Sequence, residues 1–395
     1  MIQIIFWILI FLIAFSYVVY PLLLKVLSLN HSKSDFLIPF EPQVSIIIPV
    51  YNEEYLIEDK INSIFKSNYP TEKMEVIIYS DGSTDKSIDI INHLKRVYPN
   101  LRLIKSDERK GKSFGVNKLV AESAFPLIML TDANIIFRED TIKENLKHYQ
   151  ISDIGLVGST IINQSSKSSD IILQEKQYVS WENTLKYKEG LLWGTTIAPF
   201  GACLSFRKSL FEKIPMNFLV DDFFIGATIL KSNYRCIVSK ESICFEELNG
   251  LLEVEFKRRL RISSGNFQNL VYFFPLFFNI FSVKSFCFWS HKGLRWMTPF
   301  FLIAVFFINI LLFKNSNFYQ ISLCLQLFFY CTPLTDYATS KLKSVNKLVK
   351  FANYFLIMNV ALFVGFLNYI RGVNVGYWNT TIRGKSYVEH DRRSN

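Results

Sequence analysis

The chain has 395 residues, half of them hydrophobic and 16% aromatic, and 44 Lys and Arg against 34 Asp and Glu give a formal net charge of +10. With only 20% charged residues, this composition excludes a disordered chain and a protein that only binds nucleic acid, while the mean hydropathy of +0.20 indicates membrane association. The six cysteines form no C-x-x-C pair, so we expect buried free thiols in a reducing compartment rather than a zinc ribbon or a disulfide framework.

The first predicted element is an uncleaved membrane anchor at residues 1–29. Residues 1–24 carry no charged side chain, and a helix of about 20 apolar residues spans the hydrocarbon core of a bilayer. A signal peptide is the alternative, but the segment lacks a basic start and no small-residue cleavage site follows it. Because Lys25 and Lys33 follow directly, the positive-inside rule places the next segment in the cytoplasm.

Residues 41–266 have the composition of a globular domain. Short apolar runs typical of buried strands occur at residues 44–50, 74–79, 101–104, 127–130 and 154–157. Helix-like spacing occurs between them at residues 53–66, 83–98 and 112–124. This alternation predicts an α/β fold with a mainly parallel sheet, whose ligands bind at the carboxyl ends of the strands.

Residues 267–292 are predicted to form amphipathic helices in the membrane interface. Pro275 and Asn279 interrupt an apolar run that is too short to span comfortably, and Trp289 and Trp296 suit the headgroup level. The segment therefore separates the globular domain from the membrane.

Residues 293–372 are predicted to form a C-terminal transmembrane region, followed by a basic tail at 373–395. The runs that could cross are 296–313, 318–334 and 351–370. Lysines at 341, 343, 347 and 350 favour a cytoplasmic loop before the last run. Three crossings would then put the basic tail outside, so the number of crossings stays open and one run could be re-entrant.

Two polar motifs follow the first two strands. Pro49, Tyr51 and Glu53 lie where the first strand ends and the next helix opens, a pattern that simple helix capping also explains. Asp81 follows the second strand in a Gly-containing turn. Its carboxylate could accept hydrogen bonds from a nucleoside, although an Asx-turn explains the pattern equally well.

Two further motifs carry charge or oxygen ligands. Gly111 and Lys112 belong to a basic loop that opens a helix, which suits a diphosphate; Ser106 replaces the Gly that a P-loop requires, and a solvated charge run is the alternative. Asp132 and Asn134 follow the fourth strand and offer oxygen ligands for Mg²⁺ or Mn²⁺.

The last two motifs lie further along the chain. Asp221 and Asp222 precede an apolar helix-like stretch, and Arg258 and Arg261 follow a short acidic helix. Their simpler interpretations are a helix cap and a basic cluster facing the membrane. Each motif alone is a weak signal.

Taken in order, these motifs resemble family 2 glycosyltransferases with the GT-A fold, a Rossmann-like domain, over residues 44–265. The resemblance rests on strand-Pro-x-Tyr-Asn-Glu, Asp-Gly-Ser-x-Asp, a basic Gly loop ending in Asn117, a D-x-D-like triplet, a late acidic pair and an Arg cluster. The anchor, the element at 291–296 and the apolar runs are similar to the membrane-embedded members that build cell-surface polysaccharides and glycolipids.

The resemblance implies a nucleotide-sugar donor, most often UDP-linked, and a site for it. In this family, the aspartate that matches Asp81 contacts the base of the nucleotide. The other residues implied to bind the nucleotide sugar are Pro49, Tyr51, Glu53, Gly111, Lys112, Asn117 and Asp132.

Asp132 is implied to be the D-x-D aspartate, which holds the sugar and a divalent cation, Mg²⁺ or Mn²⁺. The chain departs from the family at Asn134, an uncharged oxygen ligand in place of the second aspartate, so we expect a weakened metal site that Asp132 and Asn134 share.

Asp222 is implied to be the catalytic base of an inverting displacement, with Asp221 beside it. Gly201, Arg258 and Arg261 are implied to face the acceptor or the diphosphate. Because Ile262 replaces the Trp that stacks beneath an acceptor sugar in processive members, processive synthesis is in doubt. Residues 378–383 resemble a W-x-x-T-x-R element that folds back to the cytosolic site.

The expected function is transfer of a sugar to a lipid-linked or growing cell-envelope glycan at the cytoplasmic face of the inner (plasma) membrane, by a multi-pass protein. The alternatives are a processive polysaccharide synthase and a catalytically inactive membrane protein that only binds nucleotide sugar. Export or polymer-assembly proteins are possible partners. Nucleic acid is not expected as a partner, because the cations flank apolar runs instead of forming a basic stripe.

Overall fold

The computed structural model describes residues 1–31, 40–165, 170–248, 251–279, 281–333 and 347–373. Its centre is one sheet, whose strands are β1 (Val44–Val50), β2 (Met74–Asp81), β3 (Leu101–Ser106), β4 (Leu127–Thr131), β5 (Ile135–Phe137), β6 (Ile154–Gln164), β7 (Cys203–Arg207) and β8 (Arg235–Glu247). The spatial order of the eight strands is β3-β2-β1-β4-β7-β6-β8-β5.

The helices of the soluble part are α2 (Ile57–Phe65), α3 (Ser87–Val97), α4 (Lys112–Glu122), α5 (Thr141–Leu146), α6 (Asp170–Trp193), α7 (Asp221–Lys231) and α8 (Leu252–Tyr272), and α1 (Ile2–Leu27) precedes them. After them come α9 (Phe274–Phe278), α10 (Val283–Leu312), α11 (Asn317–Tyr330) and α12 (Lys347–Arg371).

The first half of the sheet has the predicted parallel pairing. Strands β3, β2, β1 and β4 run in one direction, and every residue of β1 and β2 is buried. Buried apolar residues of α2 and α3 cover one face, while those of α4 and α7 cover the other. Burial on both faces explains why these strands are continuous apolar runs in the sequence.

The second half of the sheet is mixed, which the sequence did not predict. Strand β7 is antiparallel to both β4 and β6, β8 is parallel to β6, and the short β5 is antiparallel to β8. Strand β7, which follows α6, therefore runs against both of its neighbours.

Among the described residues, three helices are long and apolar enough to cross a membrane: Ile2–Leu27, Val283–Leu312 and Val349–Arg371. The interfacial helices predicted at 267–292 are therefore only partly observed. The break at Pro275 and Asn279 separates α8, α9 and α10, but residues from 283 onward belong to α10, because the π-helical turn Trp289–Gly293 continues the helix without interruption.

The other predicted apolar runs have different outcomes. The run at 318–334 starts as α11, and residues 334–346, with the lysines at 341 and 343, lie outside the described part. The tail element at 378–383 lies outside it as well.

Helix α8 packs closely on α12. The hydroxyl of Ser263 donates to the carbonyl of Leu362 at 2.9 Å, and that of Ser264 donates to the carbonyl of Gly365 at 3.0 Å. A Cβ atom on Gly365 would lie 2.4 Å from the Cβ of Ser263, so the two helices touch through their smallest residues. This contact ties the soluble part to a candidate membrane helix.

Candidate active site

Asp81 fixes the basic loop that precedes α4. It is fully buried at the end of β2. Its Oδ1 accepts a hydrogen bond from the backbone N–H of Lys110 at 2.7 Å, and its Oδ2 accepts one from Gly111 at 2.9 Å. Gly111 has a φ of 90°, which suits a residue without Cβ. The carboxylate thus folds the loop against the strand end, next to the predicted nucleoside site.

The loops after β1 and β2 are joined by Asn52, which the sequence analysis did not single out. Its Oδ1 accepts from the backbone N–H of Thr84 at 2.8 Å, and its own N–H donates to Ser83 Oγ at 3.1 Å. Asn52 has a φ of 52°, a conformation that Asn tolerates better than most residues. The one sequence signal for this role is an Asn in a predicted turn, because Asn adopts a positive φ more readily than most residues.

Tyr51 and Arg109 are half-buried and stack on each other in this region. The guanidinium carbon of Arg109 lies 3.6 Å from the centroid of the Tyr51 ring, a cation–π contact. The backbone N–H of Glu53 donates to Ser87 Oγ at 2.8 Å, and Pro49 lies in β1 opposite Tyr79. The structure therefore brings Pro49, Tyr51 and Glu53 to the strand end where Asp81 lies, and their roles in binding stay predictions.

Lys112 joins two of the predicted site carboxylates. Its Nζ lies 2.9 Å from Asp132 Oδ1 and 3.2 Å from Asp221 Oδ2. Burial lowers the pKa of Lys112, but the carboxylates of Asp132 and Asp221 outweigh it, and the net pKa is raised. The first residue of α4 therefore holds the end of β4 close to the start of α7.

Asp222 lies in the next position of α7, against Gly201. A Cβ atom on Gly201 would lie 2.8 Å from Asp222 Oδ2, so only glycine leaves room for this carboxylate. Burial and the neighbouring Asp221 raise the pKa of Asp222, and the cations of Lys112 and Lys186 oppose that rise. A raised pKa is a property expected of a carboxylate that accepts a proton.

Lys186 was missed by the sequence analysis. It lies in α6, and only 4% of its surface is exposed. The apolar residues of this helix are spread around all of its sides and it carries no motif, so no local signal could have found Lys186. Its electrostatic interaction with Asp222 joins segments that are distant in the sequence.

The two arginines of α8 have different surroundings. The Nη1 of Arg261 donates to the carbonyl of Leu219 at 3.3 Å. Burial and Arg258 lower the pKa of Arg261, and the carboxylates of the site oppose the shift. Arg258 lies 3.5 Å from Glu255 and 4.0 Å from Glu246. Arg261 therefore belongs electrostatically to the site, whereas Arg258 pairs with glutamates beside it.

Asn117 and Asn134 both use their amides within the protein. Asn117 donates to the carbonyl of Ile214 at 2.8 Å and accepts from its N–H at 2.9 Å. The Nδ2 of Asn134 donates to Glu246 Oε1 at 3.3 Å. Asn117 thus ties α4 to the segment before α7, and the predicted binding roles of both asparagines remain untested.

Asp132 has the chemistry of a cation ligand. Its side chain is 35% exposed and one of its oxygens already contacts the ammonium of Lys112. Within the described residues, no group of three or more His, Cys, Asp or Glu side chains could hold a metal ion. Asp132 would therefore hold a divalent cation such as Mg²⁺ only if a ligand such as a diphosphate supplied further oxygens.

Comparison with known proteins adds to this geometry. Residues 45–215 match the model of glycosyl transferase family 2. The probable glycosyltransferase YdaM of Bacillus subtilis (strain 168) is 23% identical over 254 residues, which cover 60% of this chain and 59% of YdaM. The poly-beta-1,6-N-acetyl-D-glucosamine synthase of Staphylococcus aureus (strain COL) is 25% identical over 238 residues, covering 58% of this chain and 55% of the synthase. The chain thus spans less than two thirds of these relatives.

A solved structure resembles almost the whole chain. The mannosyltransferase PcManGT from Pyrobaculum calidifontis, in complex with GDP-Man and Mn²⁺, superposes with a TM-score of 0.69 and covers 94% of this chain and 99% of its own. At 19% identity, this likeness demonstrates the shared fold. Residues 45–215 thus form a glycosyl transferase family 2 domain, and the described part of the chain combines it with a GT-A-like fold and three candidate membrane spans.

Proposed function

We propose that this protein is an inverting glycosyltransferase that moves a sugar from a nucleotide-diphosphate donor, a UDP-sugar in the preferred form, to a lipid-linked or growing cell-envelope glycan. The observation that carries the proposal is the position of Asp222. Its carboxylate lies at the start of α7 against Gly201, beside the pair that Lys112 forms with Asp132 and Asp221. A binding protein would not need this second acidic position.

The reaction that this arrangement supports is a single displacement. An acceptor hydroxyl attacks the anomeric carbon and its proton passes to Asp222, while the bond from that carbon to the diphosphate oxygen breaks and the nucleoside diphosphate leaves with the electron pair. Attack from the face opposite the leaving group inverts the anomeric centre. The raised pKa of Asp222, caused by burial and Asp221, favours uptake of the proton.

The donor would bind at the strand ends. Asp81 shapes the loop of Lys110 and Gly111, Tyr51 offers its ring near the base, and Asp132 faces the sugar and diphosphate. Lys112 and Arg261 supply positive charge close to the leaving group. A divalent cation bound at Asp132, with Asn134 as a second predicted ligand, would further neutralise the diphosphate.

The names of two relatives support this proposed class of acceptor. One relative, from Methanococcus voltae, is a glucuronosyltransferase of a dolichyl N-acetyl-glucosaminyl phosphate, and is 30% identical over 109 residues that cover 27% of this chain and 34% of its own. The Staphylococcus synthase makes a polymer by its name. Ile262 packs among apolar side chains instead of offering a ring for stacking, which supports one or few additions over a processive reaction.

The proposed arrangement in the membrane follows the candidate spans. An anchor at 1–29 precedes a catalytic domain at 41–266, an interfacial part follows it, and the C-terminal region holds two further spans. Lys25 in the last turn of the first span supports a cytoplasmic catalytic domain, in an inner membrane if the cell has two.

The test is nucleotide release by the purified full-length protein in detergent. It is incubated with a panel of UDP- and GDP-sugars, Mg²⁺ or Mn²⁺ and a native lipid extract, beside Asp222→Asn and the control Asp153→Asn, whose carboxylate is 56% exposed. We expect release from one donor, retained by the control and lost in Asp222→Asn although UDP or GDP still binds. Equal release by Asp222→Asn would remove Asp222 as the base, and tight binding without release by any variant would favour a binding protein.

A further inference from the structure

A buried ionic network joins α6 to two candidate membrane helices. We call it the Glu182 network, and within the described residues its members are Tyr20 of α1, Glu182, Lys186 and Glu189 of α6, and His291, Lys292 and Arg295 of α10. None of the contacts between its helices is local in sequence. Since buried charges are stable only when they are paired and hydrogen-bonded, this arrangement requires all its parts.

Glu182 is the centre of the network. Its Oε2 accepts from Lys292 at 2.6 Å, and its Oε1 accepts from Arg295 at 2.5 Å and lies 3.0 Å from His291 Nε2. Burial raises the pKa of Glu182, but these cations and the imidazole hold it well below its usual range. The other imidazole nitrogen lies 2.8 Å from Glu189 Oε1, so one histidine ring bridges two carboxylates of α6.

Lys186 connects this network to the candidate active site. It lies one helical turn after Glu182, with its Nζ 3.9 Å from Glu182 Oε2 and 3.4 Å from the centroid of the Phe200 ring. Phe200 immediately precedes Gly201, on which Asp222 rests. The ammonium is therefore held between a carboxylate on the membrane side and the strand-end region that contains the proposed base.

We propose that Lys186 is a positioning residue of the transfer reaction: the Glu182 network holds its ammonium beside the Phe200–Gly201 segment, where it keeps the carboxylate of Asp222 ionised between turnovers. This inference rests on the proposed function, in which Asp222 accepts the proton. It gives the network a role in the chemistry, since α1 and α10 then determine where a charge of the active site lies.

The charged groups around Asp222 and Lys186 determine in which direction loss of Lys186 shifts the pKa of Asp222. Asp222 interacts with Asp221 on its own helix and with Lys112, Lys186 and Arg261 on three other helices. Without Lys186, one of the cations that oppose the rise in the pKa of Asp222 is lost, so Asp222 takes up a proton at higher pH.

The pH range of the effect follows from Lys186 itself. Burial and Lys292 lower its pKa to about 7, although Glu182, Asp222 and Glu189 oppose this shift. Its charge is therefore present below about pH 7 and lost above it, and the influence on Asp222 should be confined to the acidic side.

The test measures the charge of Asp222 with and without turnover. The full-length protein, Lys186→Met, Lys186→Arg and the control Lys188→Met, which changes a half-buried lysine of the same helix, are titrated by infrared spectroscopy. The band of the protonated carboxyl that disappears in Asp222→Asn is followed. Nucleotide release is recorded over the same pH range with UDP-N-acetylglucosamine and GDP-mannose.

We expect the midpoint of the Asp222 band, and the acidic limb of the rate profile, to move to higher pH in Lys186→Met. The rate should fall about tenfold near pH 6 and change less than about twofold near pH 8.5. Lys186→Arg should restore part of the acidic limb, and Lys188→Met should leave both curves in place. An unchanged band in a Lys186→Met protein that still unfolds cooperatively would overturn the inference.

Failure of this inference is distinguishable from failure of the proposed function. If Asp222→Asn retains release, the proposed base is wrong, yet the infrared titration still reports whether Lys186 acts on Asp222. If Asp222→Asn is inactive and Lys186→Met has the wild-type profile, only the role of Lys186 is wrong. Should Lys186→Met not fold, Lys186→Arg and Lys186→Gln carry the same comparison.

Discussion

Two sides of the candidate site are stabilised in different ways: the proposed donor side around Asp81, and the membrane side around Glu182. On the donor side, Asp81 accepts hydrogen bonds from two backbone N–H groups about 30 residues away, at the edge of a parallel sheet. On the membrane side, Glu182 of α6 meets side chains of α10 more than 100 residues later in the chain. One carboxylate orders a loop, whereas the other neutralises buried cations.

This difference predicts different responses to substitution. The donor side has a rigid apolar sheet behind it, so loss of one hydrogen-bond acceptor should change the loop and leave the fold intact. The membrane side depends on pairing of buried charges, and removal of one partner leaves the others uncompensated. Substitutions on the two sides should therefore separate binding defects from folding defects.

The largest effect is expected for Glu182→Ala. It leaves the cations of Lys292 and Arg295 buried without their carboxylate, which should lower the free energy of unfolding by about 3–5 kcal/mol. The matched control is Glu253→Ala, which breaks an exposed pair with Lys257, both side chains being at least 70% exposed, and should leave stability nearly unchanged. Thermal unfolding of the full-length protein in detergent measures both, and equal transitions would contradict the proposed importance of the network.

A smaller effect, on binding instead of folding, is expected for Asp81→Ala. Two backbone N–H groups lose a charged acceptor; if reordering the loop on binding costs as much as one hydrogen bond to a charged group, roughly 1.5–3 kcal/mol, nucleotide affinity should fall by about 10- to 150-fold. Calorimetric titration with UDP and GDP measures it. Asp107→Ala, at an exposed position before the same loop, should bind normally, and unchanged affinity in Asp81→Ala would show that the loop does not need its anchor.

Gly201→Ala should reduce turnover more than binding. The added Cβ would lie 2.8 Å from Asp222 Oδ2 and displace this carboxylate, whereas Gly226→Ala in α7 meets its nearest neighbour, Pro199, at 3.5 Å. We expect kcat about tenfold lower with KM for the donor little changed, since one tenfold step corresponds to about 1.4 kcal/mol. Steady-state kinetics on both variants, with thermal unfolding as the folding check, decides the matter; a parallel loss in Gly226→Ala would point to general disruption.

The smallest effect is expected for Tyr51→Leu. The cation–π contact with Arg109 is lost, and such contacts at exposed sites contribute about 0.5–1 kcal/mol, so nucleotide affinity should fall roughly two- to fivefold. Tyr51→Phe keeps the ring face and serves as the control. If both variants lose affinity equally, the hydroxyl rather than the ring face is what the nucleotide requires.

The positions of Asp81 and Asp132 at the strand ends could be predicted because their sequence signals are local. Each parallel strand is a short apolar run, and Asp81 and Asp132 follow their strands directly, so the rule that carboxyl ends meet at one edge located them. Asp222 was predicted from the resemblance to the family's acidic pair instead, and in the structure Lys112 links its neighbour Asp221 to Asp132.

The membrane side could not be predicted in the same way. Glu182 and Lys186 lie in a helix without an apolar stripe, and their partners are on α10, which the sequence analysis divided between an interfacial segment and a span. Asn117 shows the opposite case. Its motif predicted a binding residue, but in the structure both polar atoms of its amide form hydrogen bonds with the backbone of Ile214. Pairing between distant segments is set by tertiary packing, which local spacing does not encode.

The close contact of α8 with α12 fixes the distance between the candidate site and the membrane. Arg261 lies on the same helix as Ser263 and Ser264, whose hydroxyls bond the backbone of α12, so this arginine cannot move along the membrane normal without α12. If α12 crosses the bilayer, the height of the site above the lipid surface is constant. Acceptors would then be selected by reach: the reacting hydroxyl must stand at that height, and a longer or shorter headgroup would place it outside the site.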